Sequence, residues 1–300
     1  MQRRIIYIIN PISGTRKKKD LQALIEKRTA AEKIPYHIFP SVASGDYAFL
    51  HSIIKEEQVT DVVIAGGDGT VSQVVNSLMD CGVNFGIIPC GSGNGLAFAA
   101  RIPASPHKAL DIVFSGQPRP TDGFSINNHF ACMLCGLGFD AKVAHDFAQQ
   151  SKRGLATYVK QVLKNFFAAK TYRFELKVNG EWLAADAFFI SLANSNQFGN
   201  HFTIAPHASL SDGLLDIVIA VNQGKLGLLR QVFRQVRGKN KLTTELVSLE
   251  QKGIIYFQTG SLEIRNLSQA PLHIDGDPAE TPDEIVVSVK EKCFRLLQPA

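Results

Sequence analysis

Residues 61–70 read Asp61-Val62-Val63-Ile64-Ala65-Gly66-Gly67-Asp68-Gly69-Thr70, and this stretch decides the fold. An apolar run of four ends in glycines, and a helical pattern follows over Val71–Met79. A nearly continuous apolar run is expected of a strand buried on both faces, as in a parallel sheet. Working outward, Arg4–Asn10 (RIIYIIN), Tyr36–Phe39 and Phe85–Pro89 (FGIIP) are further strands. Helical segments at Lys17–Lys33, Asp46–Glu57 and Leu96–Ala100 separate or follow them. The alternation predicts an α/β domain, a parallel sheet with helices on both faces in three α/β/α layers. Ligands in such sheets bind at the carboxyl ends of the strands.

The turns at those ends carry the chemistry. Gly66-Gly67-Asp68-Gly69-Thr70 lets a backbone approach a ligand closely and leaves N–H groups facing it, with Thr70 reading as the N-cap of the next helix. A helix start of this kind accepts an anion. A carboxylate repels phosphate, so Asp68 makes sense beside a hydroxyl proton or a metal ion. A plain strand-to-helix turn needs fewer glycines than this set. Pro89-Cys90-Gly91-Ser92-Gly93-Asn94-Gly95 repeats the device after the fourth strand. Two such turns on one sheet edge describe a single site for a polyanion, most simply a nucleotide. Asn10-Pro11-Ile12-Ser13-Gly14 ends the first strand, and Arg16, Lys17, Lys18 and Lys19 follow. A basic cluster beside a small-residue turn suits a phosphate, but taken alone it reads first as a solvated helix start. No G-x-x-x-x-G-K-[ST] is present, and Gly91, Gly93 and Gly95 lack the G-x-G-x-x-G spacing, which disfavours P-loop and Rossmann sites.

Beyond about Thr121 the pattern changes to short strands: Asn128–Leu134, Tyr172–Val178, Ala187–Leu192, Asp216–Ala220, Gly253–Phe257 and Ser261–Arg265. These imply a second, mostly antiparallel domain. The expected division is 1–124, 125–283 and a terminal segment 284–300 that could return to the first domain. The 300 residues are 45% hydrophobic and 20% charged, which excludes a disordered chain. Two uncharged stretches, Cys81–Ala100 and Ala187–Ser211, contain too many glycine, proline, asparagine and histidine residues for a spanning helix. No signal-peptide pattern opens the sequence. Five cysteines fit reduced thiols better than a disulfide framework, and Cys132 and Cys135 read as packing residues. Net charge is +5, but Lys142–Arg173 holds seven Lys/Arg against one acid, and Lys225–Lys241 holds six against none. Both segments are helical in period, with an apolar face flanked by basic residues. They read either as ordinary surface helices or as docking elements for an anionic membrane.

NPISG, VVIAGGDGTVSQVVNSL and IIPCGSGNGLA, in this order, resemble the catalytic domain of the diacylglycerol kinase and sphingosine kinase superfamily. GLGFDAKVA (136–144), SLANSNQFGN (191–200), PHASLSDGLLDIV (206–218) and HIDGDP (273–278) extend the resemblance over nearly the whole chain. It implies an N-terminal fold shared with NAD kinases and phosphofructokinases, a C-terminal β-sandwich, and an ATP- and Mg²⁺-dependent lipid kinase. The implied nucleotide site is Asn10, Pro11, Ser13, Gly14, Ser41, Gly66, Gly67, Asp68, Gly69, Thr70, Val71, Gly91, Ser92 and Asn94. Asp68 would serve the magnesium and phosphoryl centre. Asp122 resembles a family aspartate beside the domain change, and Asp277 stands where relatives carry a glutamate general base, with Glu280 and Asp68 as other bases. A structural Mg²⁺ would use Asp212 with the carbonyls of Ser209 and Leu214. The GSGN form lacks the acid of G-T-x-N-D found in many diacylglycerol kinases, so the lipid could be diacylglycerol, a sphingoid base or a relative. The resemblance implies a cytoplasmic protein peripheral to the inner face of the membrane, with no nucleic-acid partner and no indicated oligomer. A soluble-substrate kinase like NAD kinase and a non-catalytic nucleotide or lipid binder are the alternatives.

Overall fold

The computed structural model describes residues 2–13, 18–148, 165, 169–197, 203–221, 224–240, 242–243, 249 and 253–300. The chain forms two compact units: Met1–Thr121 with Lys292–Ala300, and Asp122–Glu291.

The first unit runs β1 (Ile5–Ile9), α1 (Lys18–Ala31), β2 (Tyr36–Pro40), α2 (Leu50–Glu56), β3 (Asp61–Gly66), α3 (Asp68–Leu78), β4 (Asn84–Pro89), α4 (Gly95–Ala99) and α5 (Pro106–Ser115). The four strands are parallel in the order β4-β3-β1-β2, with Ile5 opposite both Tyr36 and Asp61, and Asp61 opposite Asn84. Every residue of β1 and β3 is buried, as their apolar runs predict. α2 starts at Leu50, later than the sequence suggests. The Asp46 side chain instead accepts the Ala48 N–H, and the Ser77 hydroxyl accepts the Tyr47 N–H, a local alternative to helix.

The second unit contains β5 (Gln117–Ile126, entering from the first unit), β6 (His129–Ala131), β7 (Leu134–Gly138), α6 (Phe139–Ala148), β8 (Tyr172–Val178), β9 (Glu181–Ala193), β10 (Leu215–Val221), α7 (Lys225–Val236), β11 (Ile254–Thr259), β12 (Ser261–Asn266), β13 (Leu272–Ile274), β14 (Asp277–Ala279) and β15 (Glu284–Gln298). Its strands pair antiparallel in the path β14-β13-β7-β9-β8-β12-β15, with β10 between β9 and β11. Phe174, Leu176, Ile190, Leu192, Ile217 and Ile264 fill its core. Arg295 and Leu296, at the far end of β15, lie parallel to Asn84 and Phe85 of β4 in the first unit's sheet.

Several elements differ from the sequence reading. The strand expected at Asn128–Leu134 is broken at Cys132 and Met133, so Cys132 and Cys135 do not share a strand. Both are buried, and neither is in a disulfide. Burial pushes the Cys135 thiol well above its usual range, with the charges of Asp275 and Asp140 adding. β9 runs from Glu181, because Glu181–Ala187 pairs with β8. α6, β5, β13 and β14 carry no clear periodic signal. Among the described residues no helix is long and apolar enough to cross a membrane.

Candidate active site

In the first unit the ends of β1, β3 and β4 converge through glycine. A Cβ on Gly91 would lie 2.5 Å from the Gly67 Cα, and one on Gly67 would lie 3.1 Å from the Gly91 Cα. The two glycine-rich turns therefore touch backbone to backbone. A Cβ on Gly66 would stand 2.8 Å from the Thr70 Cβ, so Gly66 makes room for the Thr70 side chain. Asn10 ties in the first turn: its Oδ1 accepts the N–H groups of Ile12 (3.0 Å) and Ser13 (3.2 Å), and its Nδ2 donates to Thr70 Oγ1 at 2.8 Å. Ser41 follows β2 at the same edge, its N–H donating to Ile9 O. Pro11 is exposed and Ser13 half-buried. Gly14, with Arg16 and Lys17, lies outside the described residues.

Thr70 is not the N-cap. α3 begins at Asp68 with Gly67 as its N-cap, because Gly67 takes the extended conformation and the next residues already follow the helix. Gly69 thus sits in the first helical turn. Val71 faces the core, and its N–H closes that turn on Gly67 O. Asn94 adopts φ 58° and closes its loop reciprocally, accepting the Gly91 N–H at 2.7 Å and donating to Gly91 O at 2.8 Å. Ser92 and Gly93 ride on that loop.

Asp68 corrects a second expectation. Its carboxylate oxygens accept the N–H groups of Gly95 (3.1 Å) and Leu96 (3.2 Å), the first donors of α4. That helix start is occupied, so among the described residues the opening turn of α3 and the N–H groups of Ser92 and Gly93 are the backbone donors left to offer a polyanion. Asp68 links the two turns.

In the second unit Asp122 is fully buried. Its N–H donates to Leu210 O (2.7 Å), and its Oδ2 accepts the Gly213 N–H (2.8 Å). It organises the loop that carries Ser209, Asp212 and Leu214. Asp212 Oδ1 accepts the Leu214 N–H at 3.1 Å, and desolvation, with the Asp122 charge adding, holds its carboxyl above the usual range. Next to it, Asp216 is buried and receives the Tyr256 hydroxyl and the Gln258 amide. Burial raises its carboxyl too. Among the described residues no three His, Cys, Asp or Glu side chains are arranged to hold a metal ion. Asp277 is exposed at the start of β14 and pairs with Ile274 across the Asp275-Gly276 turn; Glu280 is also exposed.

Sequence reasoning missed four polar residues here. The Asp275 carboxylate accepts three backbone N–H groups, from Cys132 (3.1 Å), Met133 (3.0 Å) and Leu134 (2.9 Å). Asn194 is buried and donates to Asp122 O and Cys132 O. His273 and Asp140 form a buried pair 3.5 Å apart. The asparagine-rich run and the D-G dipeptide were the available signals, but their partners lie far away in sequence.

Two family descriptions match the chain. Residues 4–126 match "Diacylglycerol kinase catalytic domain", and residues 134–297 match "YegS C-terminal NAD kinase beta sandwich-like domain". The chain is 26% identical over 281 residues to a protein of Bacillus subtilis (strain 168) called "Diacylglycerol kinase", covering 91% of this chain and 89% of that one. It is 27% identical over 242 residues to a protein of Chromohalobacter salexigens called "Probable lipid kinase YegS-like", covering 78% and 75%. A crystal structure described as a diacylglycerol kinase from Bacillus anthracis str. Sterne superposes with a TM-score of 0.73 at 18% identity, covering 98% of this chain and 96% of that one. At that identity the likeness speaks for the fold.

Proposed function

This chain belongs to the diacylglycerol kinase-like lipid kinase family, and from that premise we propose that it transfers the γ-phosphate of ATP to a hydroxyl of a membrane lipid, diacylglycerol or a related lipid such as a sphingoid base. The observation that carries the reading is the backbone contact of Gly67 with Gly91, locked by Asp68 on the start of α4. It makes one rigid rim from the two glycine-rich turns. On this reading Asn10, Pro11, Ser13, Gly14, Ser41, Gly66 to Val71, Gly91, Ser92 and Asn94 surround the nucleotide. The phosphates take backbone N–H groups from the α3 start and from Ser92 and Gly93.

Asp277 accepts the proton of the lipid hydroxyl. An aliphatic hydroxyl is a poor acid, so a placed carboxylate base contributes roughly 10²–10⁴-fold. Asp277 is exposed and able to meet a substrate, whereas Asp275 beside it is consumed by three N–H groups. Asp68 serves the magnesium and phosphoryl centre from the seam between the two turns. Bound Mg²⁺ would supply charge neutralisation on the phosphate oxygens. A second Mg²⁺ fits the loop of Ser209, Asp212 and Leu214: a hard cation takes one carboxylate with carbonyl oxygens. Asp212, with the Asp122 charge nearby, is a carboxylate that a cation would relieve.

The test is incubation with Mg²⁺, γ-labelled ATP and mixed micelles of each lipid in turn. Label enters one lipid, and Asp68→Ala lowers the rate more than tenfold, because it removes both the lock between the turns and a charge at the phosphates. More than about a tenth of wild-type activity in Asp68→Ala overturns the role of Asp68. Label entering NAD in place of lipid favours a soluble-substrate kinase, and ATP binding without transfer favours a regulator.

A further inference from the structure

We propose that the buried Asp140–His273 pair is a positioning device for Asp277, holding the Asp275-Gly276 turn that sets where the Asp277 carboxylate points. The inference rests on the reading of Asp277 as the general base.

The turn joining β13 to β14 has two left-handed residues, Asp275 at φ 47° and Gly276 at φ 87°. That is the two-residue hairpin geometry for which Asp-Gly is suited. Two anchors fix it. One is the Asp275 carboxylate on the N–H groups of residues 132–134. The other is the Gly276 N–H, which donates to His273 Nδ1 at 3.3 Å. With Nδ1 accepting, the neutral ring carries its proton on Nε2. Nε2 faces Asp140 Oδ2 at 3.5 Å.

Asp140 opens α6 and is 9% exposed, and its Oδ1 accepts the Ala141 N–H. Its Oδ2 is buried with no hydrogen bond, and neither has the His273 Nε2 that faces it, so the pair acts through charge across 3.5 Å. A carboxylate oxygen in that state is costly to keep. The fold also clears space for it. Gly136 stands opposite His273 in the sheet, and a Cβ there would lie 2.0 Å from Asp140 Oδ2 and 2.8 Å from His273 Nε2. A glycine in mid-strand and a poorly bonded buried carboxylate both run against stability, and both serve the ring. Asp140 sets the tautomer and orientation of His273, His273 sets the Gly276 N–H, and Asp277 follows directly. Asp140 and His273 act through the turn, so they are positioning residues.

The experiment compares wild type with Asp140→Asn, His273→Ala, His273→Asn, Asp277→Asn and the double variant Asp140→Asn/Asp277→Asn. ATP-to-lipid transfer is measured in dioctanoylglycerol mixed micelles, and thermal unfolding confirms that each variant is folded. Asp277→Asn lowers kcat by about 100-fold or more. Asp140→Asn and His273→Ala each lower kcat by about tenfold with KM for ATP within about twofold, since a misplaced group costs rate on the order of 10²-fold per ångström. His273→Asn recovers most of that loss, because its Oδ1 keeps an acceptor where Nδ1 stood. Asp140→Asn carries the test if His273→Ala does not fold. Asp140→Asn adds nothing to Asp277→Asn. Normal kcat in Asp140→Asn and in His273→Ala alongside a crippled Asp277→Asn overturns the positioning role and leaves the base intact. A full additional tenfold loss in the double variant also overturns it. Normal kcat in Asp277→Asn removes the base, and the positioning role falls with it.

Discussion

At the scale of single residues, glycine at 67 and 91 is a packing requirement. A Cβ on Gly91 meets backbone at 2.5 Å, and backbone cannot swing aside as a side-chain tip can. Gly91→Ala therefore separates the two turns and weakens ATP binding by at least tenfold, read by calorimetric titration. Gly67→Ala, with 3.1 Å to yield from, weakens it less. The reverse order would show that the turns do not act as one rim. The glycines were legible in sequence because their number exceeds what a turn needs. The part played by Asp68 was only half legible. Its type suggested a cation or hydroxyl, while its bonds to Gly95 and Leu96 depend on β3 and β4 lying side by side. The anchoring part of Asp275 was not legible, although its Asp-Gly pair signalled a turn. Asp275 and Asp277 are the same residue type two positions apart, and only the distant N–H groups of residues 132–134 separate an anchored carboxylate from an exposed one.

Among elements, α7 has the clearest consequence. Arg230, Arg234, Arg237 and Lys239 are exposed, Phe233 is 55% exposed, and the Arg237 guanidinium lies 3.9 Å over the Phe233 ring. An exposed aromatic among cations suits the interface of an anionic bilayer. We propose α7 as a docking element, with each Lys/Arg near the surface contributing on the order of 1 kcal/mol. Arg230→Glu/Arg234→Glu should lower sedimentation with phosphatidylglycerol vesicles by more than tenfold, and high salt should do the same to wild type. Salt-independent sedimentation would rule against electrostatic docking. The other basic segment, Lys142–Arg173, falls largely outside the described residues, at 149–164 and 166–168. The parallel strands were readable because burial on both faces writes an apolar run. β13 and β14 were not, since three residues are too few for a period. α6 was hidden because its first residues are buried alongside the strand before it.

For the molecule as a whole, β15 matters most. Its first half pairs with β12, and its last residues lie beside β4. Phe294, Leu296 and Leu297 are buried, and the Phe294 ring meets Phe85 edge-on at 6.0 Å. Burying each such side chain contributes roughly 1.5–3 kcal/mol. Deleting residues 292–300 should therefore lower the melting temperature by well over 10 °C and expose apolar surface to a reporter dye, whereas an unchanged melting temperature would show the strand to be dispensable. Leu296 and Asn84 belong to the same sheet, yet all of Asp122–Glu291 intervenes in the chain. During synthesis on the ribosome, β4 must wait with one flank unpaired until the insertion has been made. The unit that begins first is the one completed last, and its open flank is where a nascent chain would need a chaperone.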